Sequence, residues 1–243
     1  MAIDSEQVLA QNPLAIGRTR GERLFLWGAA VALLVVVGGF SRTYYLRSFL
    51  QDESLPALVH VHGLVMTLWF GTVLAQVLLV RTGNVRIHRK VGVFGVGIAA
   101  LVLVVGTMTA IAAVRQGHTP GPPPLVFLAI PLGDMVVFAT LVTLGVVYRK
   151  RADFHKRYML MASLGIVTAA IARVQFLQAG GLPLFFGLTD LIVIGFVLTD
   201  TVGKRRLHPA FAIGLAVVIA SQVGRFLIAG TPAWQEFAKW LTS

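Results

Sequence analysis

Apolar residues occur along this chain in seven long runs that are separated by short polar segments. The runs cover residues 22–41, 57–80, 91–114, 124–148, 158–178, 183–203 and 209–229. A helix of roughly 20 apolar residues, at about 1.5 Å each, crosses a hydrocarbon layer of about 30 Å. Runs of this length without two-residue alternation indicate helices rather than barrel strands. The pattern therefore predicts an all-α polytopic membrane protein with seven transmembrane helices.

The polar remainder of the chain is short. A tail, a transmembrane domain and a C-terminal segment are predicted at residues 1–21, 22–229 and 230–243. In the C-terminal segment Trp234, Phe237 and Trp240 stand at every third position, with charged residues between them. This spacing predicts a short amphipathic helix in the membrane interface. The first apolar run is interpreted as an uncleaved span, because its length exceeds the apolar core of a typical signal peptide.

The basic residues are distributed unevenly between the two predicted faces. The tail and the loops between alternate helices hold 15 of the 21 lysines and arginines. The other six are Arg42, Arg47, Arg115, Arg173, Arg225 and Lys239. By the positive-inside rule the N-terminus is cytoplasmic and the C-terminus lies outside. Topology thus accounts for the net charge of +11, and nucleic-acid binding is not expected.

Composition narrows the possible chemistry. The chain is 56% hydrophobic and only 13% charged, against about 25% charged in soluble domains. No loop is long enough for a soluble catalytic domain, so any site must use helix ends or the bundle interior. There is no cysteine, which excludes disulfides, thiolate metal sites and iron–sulfur clusters.

A first group of polar residues is predicted near the outer ends of the spans. It comprises His60, His62, Asp134, Arg173, Asp190, Gln222 and Arg225, with Arg42 and Tyr44 at the end of the first span. Trp69 and Gln76 share a helical face with His62. A charge at the centre of a transmembrane helix costs about 2.5–3.5 kcal/mol, so these residues are expected to form a polar pocket.

This outer pocket has two interpretations, and the sequence leaves both open. It is either a buried ion-pair network that fixes helix register, or a site for a ligand, a proton or a metal. His60 and His62 are the candidate metal ligands here. They lie about 200° apart around a regular helix, so they cannot chelate one ion together.

A second group lies at the predicted cytoplasmic ends of four spans. It comprises His88, His155, Asp200 and His208. Imidazoles from two separate helices can ligate a b-type haem, which makes His88 and His155 the candidate cofactor ligands. His208 and Asp200 are candidate ligands for a transition metal. Ordinary headgroup chemistry remains a third interpretation of these histidines.

Small residues follow His88 at helical spacing. Gly92 and Gly95 lie on its face of the third span. Such a groove accepts either a flat macrocycle or the backbone of a neighbouring helix.

Several short motifs stand out together. They are residues 39–46, His60-Val61-His62-Gly63, His88-Arg89-Lys90, His155-Lys156-Arg157-Tyr158-Met159, His208-Pro209 and the terminal tryptophan segment. As a set they resemble an uncharacterised family of small bacterial seven-helix integral membrane proteins. The resemblance implies a multi-pass protein of the bacterial plasma membrane and assigns no catalytic residue. Two histidines that open alternate helices also resemble the pattern of b-type membrane cytochromes, which implies at most one haem here.

Three functional hypotheses follow from these features. The first is a membrane redox protein with haem on His88 and His155, whose outer pocket handles a quinone or protons. The second is a metal-dependent membrane enzyme, or a transporter of protons or small solutes, built on the outer group. The third is an accessory subunit of a larger membrane complex. Membrane lipids are expected partners in every case.

Overall fold

The computed structural model describes residues 20–50, 54–119 and 121–243, with side chains described from residue 23 onward. Regular structure in this part of the chain is helical, without strands. Six of its helices are long and apolar enough to cross a membrane. This is the architecture of a multi-pass membrane protein. The predicted tail, residues 1–21, falls almost entirely outside the described residues.

Eight helices, labelled in chain order, form the described structure together with several short turns. They are α1 (Arg20–Phe40), α2 (Ala57–Arg81), α3 (Val85–Arg115), α4 (Ala129–Val147), α5 (Ala152–Leu164), α6 (Gly181–Lys204), α7 (Pro209–Ile228) and α8 (Pro232–Thr242). A π-helical turn, Ser41–Tyr45, continues α1. The observed bounds of α2, α6 and α7 agree closely with the predicted runs, because each is one long apolar stretch. Helix α3 begins six residues before its predicted run, at Val85, because the basic turn that contains His88 is also helical.

The fifth predicted span is not a continuous helix. Helix α5 ends at Leu164, and a short turn, Thr168–Ile171, and a 3₁₀ helix, Gln175–Gly180, follow. We refer to residues 152–180 as the fifth segment. Its middle is tied by short-range bonds such as Ala170 N to Val167 O at 2.9 Å. Irregular backbone of this kind is tolerated at membrane depth only where protein surrounds it.

The fifth segment lies at the centre of the bundle. Its residues from 160 to 168 are all buried, and Met161, Leu164 and Val167 have no exposed surface. A Cβ on Gly165 would lie 3.3 Å from the side chains of both Val137 in α4 and Val218 in α7. The break after Leu164 is therefore enclosed by the surrounding helices as far as Thr168, whereas Gln175 and Phe176 of the 3₁₀ helix are exposed.

Contacts along the fifth segment define its direction relative to its neighbours. Arg157 meets Asp200, and eleven residues later Thr168 meets Thr189. The fifth segment thus runs antiparallel to α6 over about 16 Å, at about 1.5 Å per residue.

Helices α2 and α3 pack as a close antiparallel pair. The glycines that follow His88 face α2: a Cβ on Gly92 would lie 3.1 Å from Gln76 Nε2, and one on Gly95 would lie 3.5 Å from Thr72. The predicted small-residue groove is therefore filled by a neighbouring helix, which is the commoner use of such a face.

Helix α8 forms as the tryptophan spacing predicts, and it also packs on the bundle. Trp234 Nε1 donates to Leu125 O at 2.7 Å, and Ala238 is fully buried against Ala110, Val114 and Leu128. Trp240 on the opposite side is 71% exposed. One face of α8 thus covers the ends of α3 and α4, and the other is exposed.

Candidate functional site

His88 and His155 come together between the start of α3 and the start of α5. Their ring centroids are 6.3 Å apart and the ring planes are nearly perpendicular, at 82°. His155 Nδ1 lies 2.8 Å from Gly145 O, and because a carbonyl can only accept, Nδ1 carries the proton. His88 Nδ1 is buried and has no hydrogen-bond partner among the described residues. The two histidines that the sequence pairs are therefore neighbours, and one buried ring nitrogen of His88 has no partner within the described chain.

Gln76 belongs to this histidine pair and not to the outer group in which the sequence pattern placed it. Its Nε2 donates to the backbone oxygen of His88 at 3.1 Å. Since α2 is 25 residues long, Gln76 lies near the opposite end of the helix from His62. The sequence predicts that Gln76 shares a helical face with His62, but it does not predict that the two lie near opposite ends of α2.

Asp200 is engaged by cations and does not join the histidines. Arg157 Nη2 donates to Asp200 Oδ2 at 2.7 Å and Nε donates to the same oxygen at 3.0 Å. Lys204 Nζ lies 3.4 Å from Oδ1. Both carboxylate oxygens are thereby occupied, so the structure does not support Asp200 as a metal ligand.

Arg157 is the residue that sequence reasoning missed. The distribution of basic residues places it on the cytoplasmic face, yet its side chain has no exposed surface. The rings of Phe25 and Phe211 lie 5.7 and 5.4 Å from its guanidinium carbon. The sequence did contain one indication of this contact: Asp200 lies at a similar predicted depth and needs a basic partner.

His208 is also occupied on both ring nitrogens. Its Nδ1 accepts from Ala210 N at 3.1 Å and caps α7, and its Nε2 lies 3.2 Å from Asp153 Oδ2. Burial lowers the pKa of His208 below its ordinary value, and the bond to Asp153 offsets this only in part. The structure thus assigns His208 a capping role rather than the predicted role in metal binding.

The outer group divides into separate clusters. Arg225 Nη1 and Asp134 Oδ1 form a buried ion pair at 2.7 Å, with Ser221 accepting two further guanidinium bonds. Gly133 is required beside it, because a Cβ there would overlap Arg225 Nε. This cluster fits the interpretation of an ion pair that fixes helix register.

The other acid of the outer group has a neutral partner. Gln222 Nε2 donates to Asp190 Oδ1 at 2.8 Å, which joins α7 to α6. Within the described part of the chain, no arginine forms an ion pair with Asp190. Trp69, also predicted for this pocket, lies in the core with its ring edge-on to Phe138 at 4.8 Å.

His60 and His62 lie beside the end of α1, on different sides of α2. Tyr44 donates its hydroxyl to His60 O at 3.2 Å, and the two rings are 5.9 Å apart. The Tyr44 ring packs directly on Gly63, where a Cβ would overlap it. His62 is half-buried and close enough to Arg173 to interact electrostatically.

Metal ligation by the predicted set is not supported by this arrangement. Within residues 20–50, 54–119 and 121–243, no group of three or more histidine, aspartate or glutamate side chains is placed to hold a metal ion. No protein-family model matches the chain, and no curated protein or solved structure is significantly similar to it.

Proposed function

We propose that this chain crosses the bacterial plasma membrane seven times, with its N-terminus in the cytoplasm and its C-terminus outside. The register of the fifth segment supports this topology. It begins beside Asp200 and His208, and its residue Ala170 contacts Gly39 near the end of α1. The segment thus extends over the same depth as α6. The distribution of basic residues supports the orientation. We also propose membership of the bacterial seven-helix family that the motifs resemble.

We propose further that the protein binds one b-type haem, which His88 and His155 would hold through their ring nitrogens, and acts as a one-electron carrier. The observation that carries this proposal is the spacing of the two imidazoles. Two histidines that would hold one iron ion must have rings close enough for both to reach it. The ring centroids of His88 and His155 are 6.3 Å apart.

The hydrogen bonds of the pair fit the same role. Gly145 O fixes the His155 tautomer, which leaves Nε2 with its lone pair free for a metal. Both side chains are half-buried, so the pair is not sealed in the core. The glycine face of α3 is not available to a macrocycle, because α2 fills it.

The chain's own residues orient the ligands and provide charge near them. Gln76 ties the first turn of α3 to α2 through His88 O, and Gly145 ties His155 to α4. Arg89 and Lys156 each follow a ligand histidine in sequence. Basic side chains at this depth favour the carboxylates that a haem carries. When bound, the haem would supply a one-electron redox couple.

The test is an absorption spectrum of the full chain purified in detergent from cells supplied with a haem precursor. We expect a Soret band and about one haem per chain by pyridine assay. His88→Ala and His155→Ala should each lower haem content at least tenfold. His118→Ala, in an outer loop, is the matched control and should leave it unchanged. Added imidazole should restore the spectrum of the alanine variants.

Two results would contradict the haem proposal. One is a folded, monodisperse wild-type protein without a Soret band under these conditions. The other is full haem content in both His88→Ala and His155→Ala. The alternative of a transporter built on the outer group has less support, because Asp134 and Arg225 neutralise one another in a fixed pair.

A further inference from the structure

An open apolar groove runs along the surface of the bundle between α1 and α6. Leu34, Val35, Leu188, Leu191 and Ile192 line it, and its volume is about 490 Å³. Leu34 and Leu191 are each 67% exposed. In a membrane this groove faces the hydrocarbon layer.

The groove continues into a polar mouth. A second cavity of about 350 Å³ shares Gly38, Gly39, Val174 and Phe176 with the groove. Its other lining residues are polar: Ser41, Arg42, Arg173 and Gln175. Apolar surface along the helices thus ends at two guanidinium groups. A ligand that fits both parts has an apolar chain and an anionic headgroup.

The two arginines of the mouth differ from the buried arginines of the fold. Arg157 and Arg225 each have a carboxylate partner, whereas no carboxylate of the described residues pairs with Arg42 or Arg173. Arg173 lies 5.1 Å from the Phe40 ring centre, which supports the guanidinium, and no acid of the described residues compensates its charge. Asp52 and Glu53, the acids nearest Arg42 in sequence, lie outside the described residues.

Topology does not require these two charges. The positive-inside rule places basic residues on the opposite face, so Arg42 and Arg173 belong to the face where such residues are few. An uncompensated cation at the edge of the hydrocarbon layer is costly, and an anion at the same site removes that cost. Arginine pairs with phosphate through bidentate, charge-assisted hydrogen bonds.

We propose that this groove binds one anionic phospholipid, with its phosphate between Arg42 and Arg173 and an acyl chain along the apolar wall. Charge complementarity at the mouth identifies the headgroup, and the exposed leucines identify the chain. The junction between them is open, since a Cβ on Gly38 would meet no atom within 4 Å. This site is separate from the histidine pair and does not depend on the haem proposal.

The experiment uses the full chain in detergent and native mass spectrometry with two lipids. Dioleoylphosphatidylglycerol is the anionic probe, and dioleoylphosphatidylcholine, with the same chains and a zwitterionic headgroup, is its matched control. We expect the anionic lipid to bind about tenfold more tightly. The double variant Arg42→Gln/Arg173→Gln should remove this preference.

A second variant tests the groove while both arginines stay in place, so the proposal can still be tested if the double arginine variant misfolds. Gly38→Leu projects into open space at the junction, so it should fold and should weaken the binding of both lipids about tenfold. Gly97→Leu places the same side chain in open space on α3 and should change neither.

Three outcomes would overturn the proposal. They are equal binding of the two lipids to the wild type, unchanged preference in the double arginine variant, and unchanged binding in Gly38→Leu. If inorganic phosphate alone displaces the anionic lipid, and Gly38→Leu leaves lipid binding unchanged, the mouth binds phosphate but the groove does not bind an acyl chain. Displacement by a short-chain quinone at equal concentration would assign the groove to a different ligand.

Discussion

Two neighbouring glycines near the end of α1 have opposite environments. A Cβ on Gly39 would overlap the backbone oxygen of Ala170, whereas one on Gly38 would meet nothing within 4 Å. We expect Gly39→Ala to destabilise the protein by more than about 2 kcal/mol, because a backbone atom cannot move aside as a flexible side chain can. Gly38→Ala should be neutral or stabilising by up to about 1 kcal/mol, since alanine favours helix.

The measurement is the thermal unfolding midpoint of each variant in the same detergent. The adjacent position serves as the control, because helix, depth and substitution are identical. Similar midpoints for the two variants would show that α1 and the fifth segment do not approach each other at Ala170.

The charged residues show how far single positions can be interpreted without coordinates. The sequence correctly predicts that Asp134 and Arg225 face inward, because two opposite charges at one depth need each other. It misplaces Arg157, because a basic residue near a predicted helix end looks the same whether it contacts headgroups or a buried acid. Its partner, Asp200, is 43 residues away in sequence, and only the packing of the fifth segment against α6 brings the two together.

At the scale of elements, α7 begins with a cap that depends on the protonation state of one imidazole. His208 accepts the Ala210 N–H only while Nδ1 is unprotonated. Its lowered pKa means that the folded protein binds this proton less readily than the unfolded chain, in which histidine titrates near about 6.5. The contribution of the cap is therefore complete above that pH and is lost as the pH falls through the folded-state value.

We expect the wild type to lose about 1 kcal/mol relative to His208→Asn between about pH 7.5 and pH 5. Asparagine is a good helix N-cap that does not titrate in this range, so it isolates the histidine from all other pH effects. Unfolding midpoints of both proteins across the range provide the measurement. Parallel pH profiles would show that protonation of His208 does not affect the cap.

The long helices could be predicted from the sequence, and the break in the fifth could not. Apolar run length determines whether a segment can cross a bilayer, and the bounds of α2, α6 and α7 follow from it. Hydropathy does not distinguish lipid from a protein interior, so residues 158–178 look like a lipid-facing helix. In the fold residues 160–168 are buried among the neighbouring helices, and that enclosure permits the irregular backbone around Gly165.

At the scale of the whole molecule, the fifth segment determines the number of crossings. The fifth segment contacts α1 and α7 in the same chain direction. Along α1, Leu160 contacts Gly28 and Ala170 contacts Gly39. Along α7, Asp153 contacts the capping residue His208 and Gly165 contacts Val218. Contacts with α6 run in the opposite direction. This pattern supports the proposed seventh crossing, because the two halves of a re-entrant loop would contact the same end of each neighbour.

The absence of cysteine from the sequence makes this topology directly testable. Single substitutions in the full chain, Lys150→Cys before the fifth segment and Gln178→Cys near its end, report the side of the membrane through a membrane-impermeant maleimide. With seven crossings, Gln178→Cys and Ser243→Cys should be labelled in intact cells, and Lys150→Cys only after permeabilisation. The unsubstituted protein gives the background. Labelling of Lys150→Cys and Gln178→Cys from one side would mean that the fifth segment turns back within the bilayer, and the chain would then cross six times with both ends on the same side.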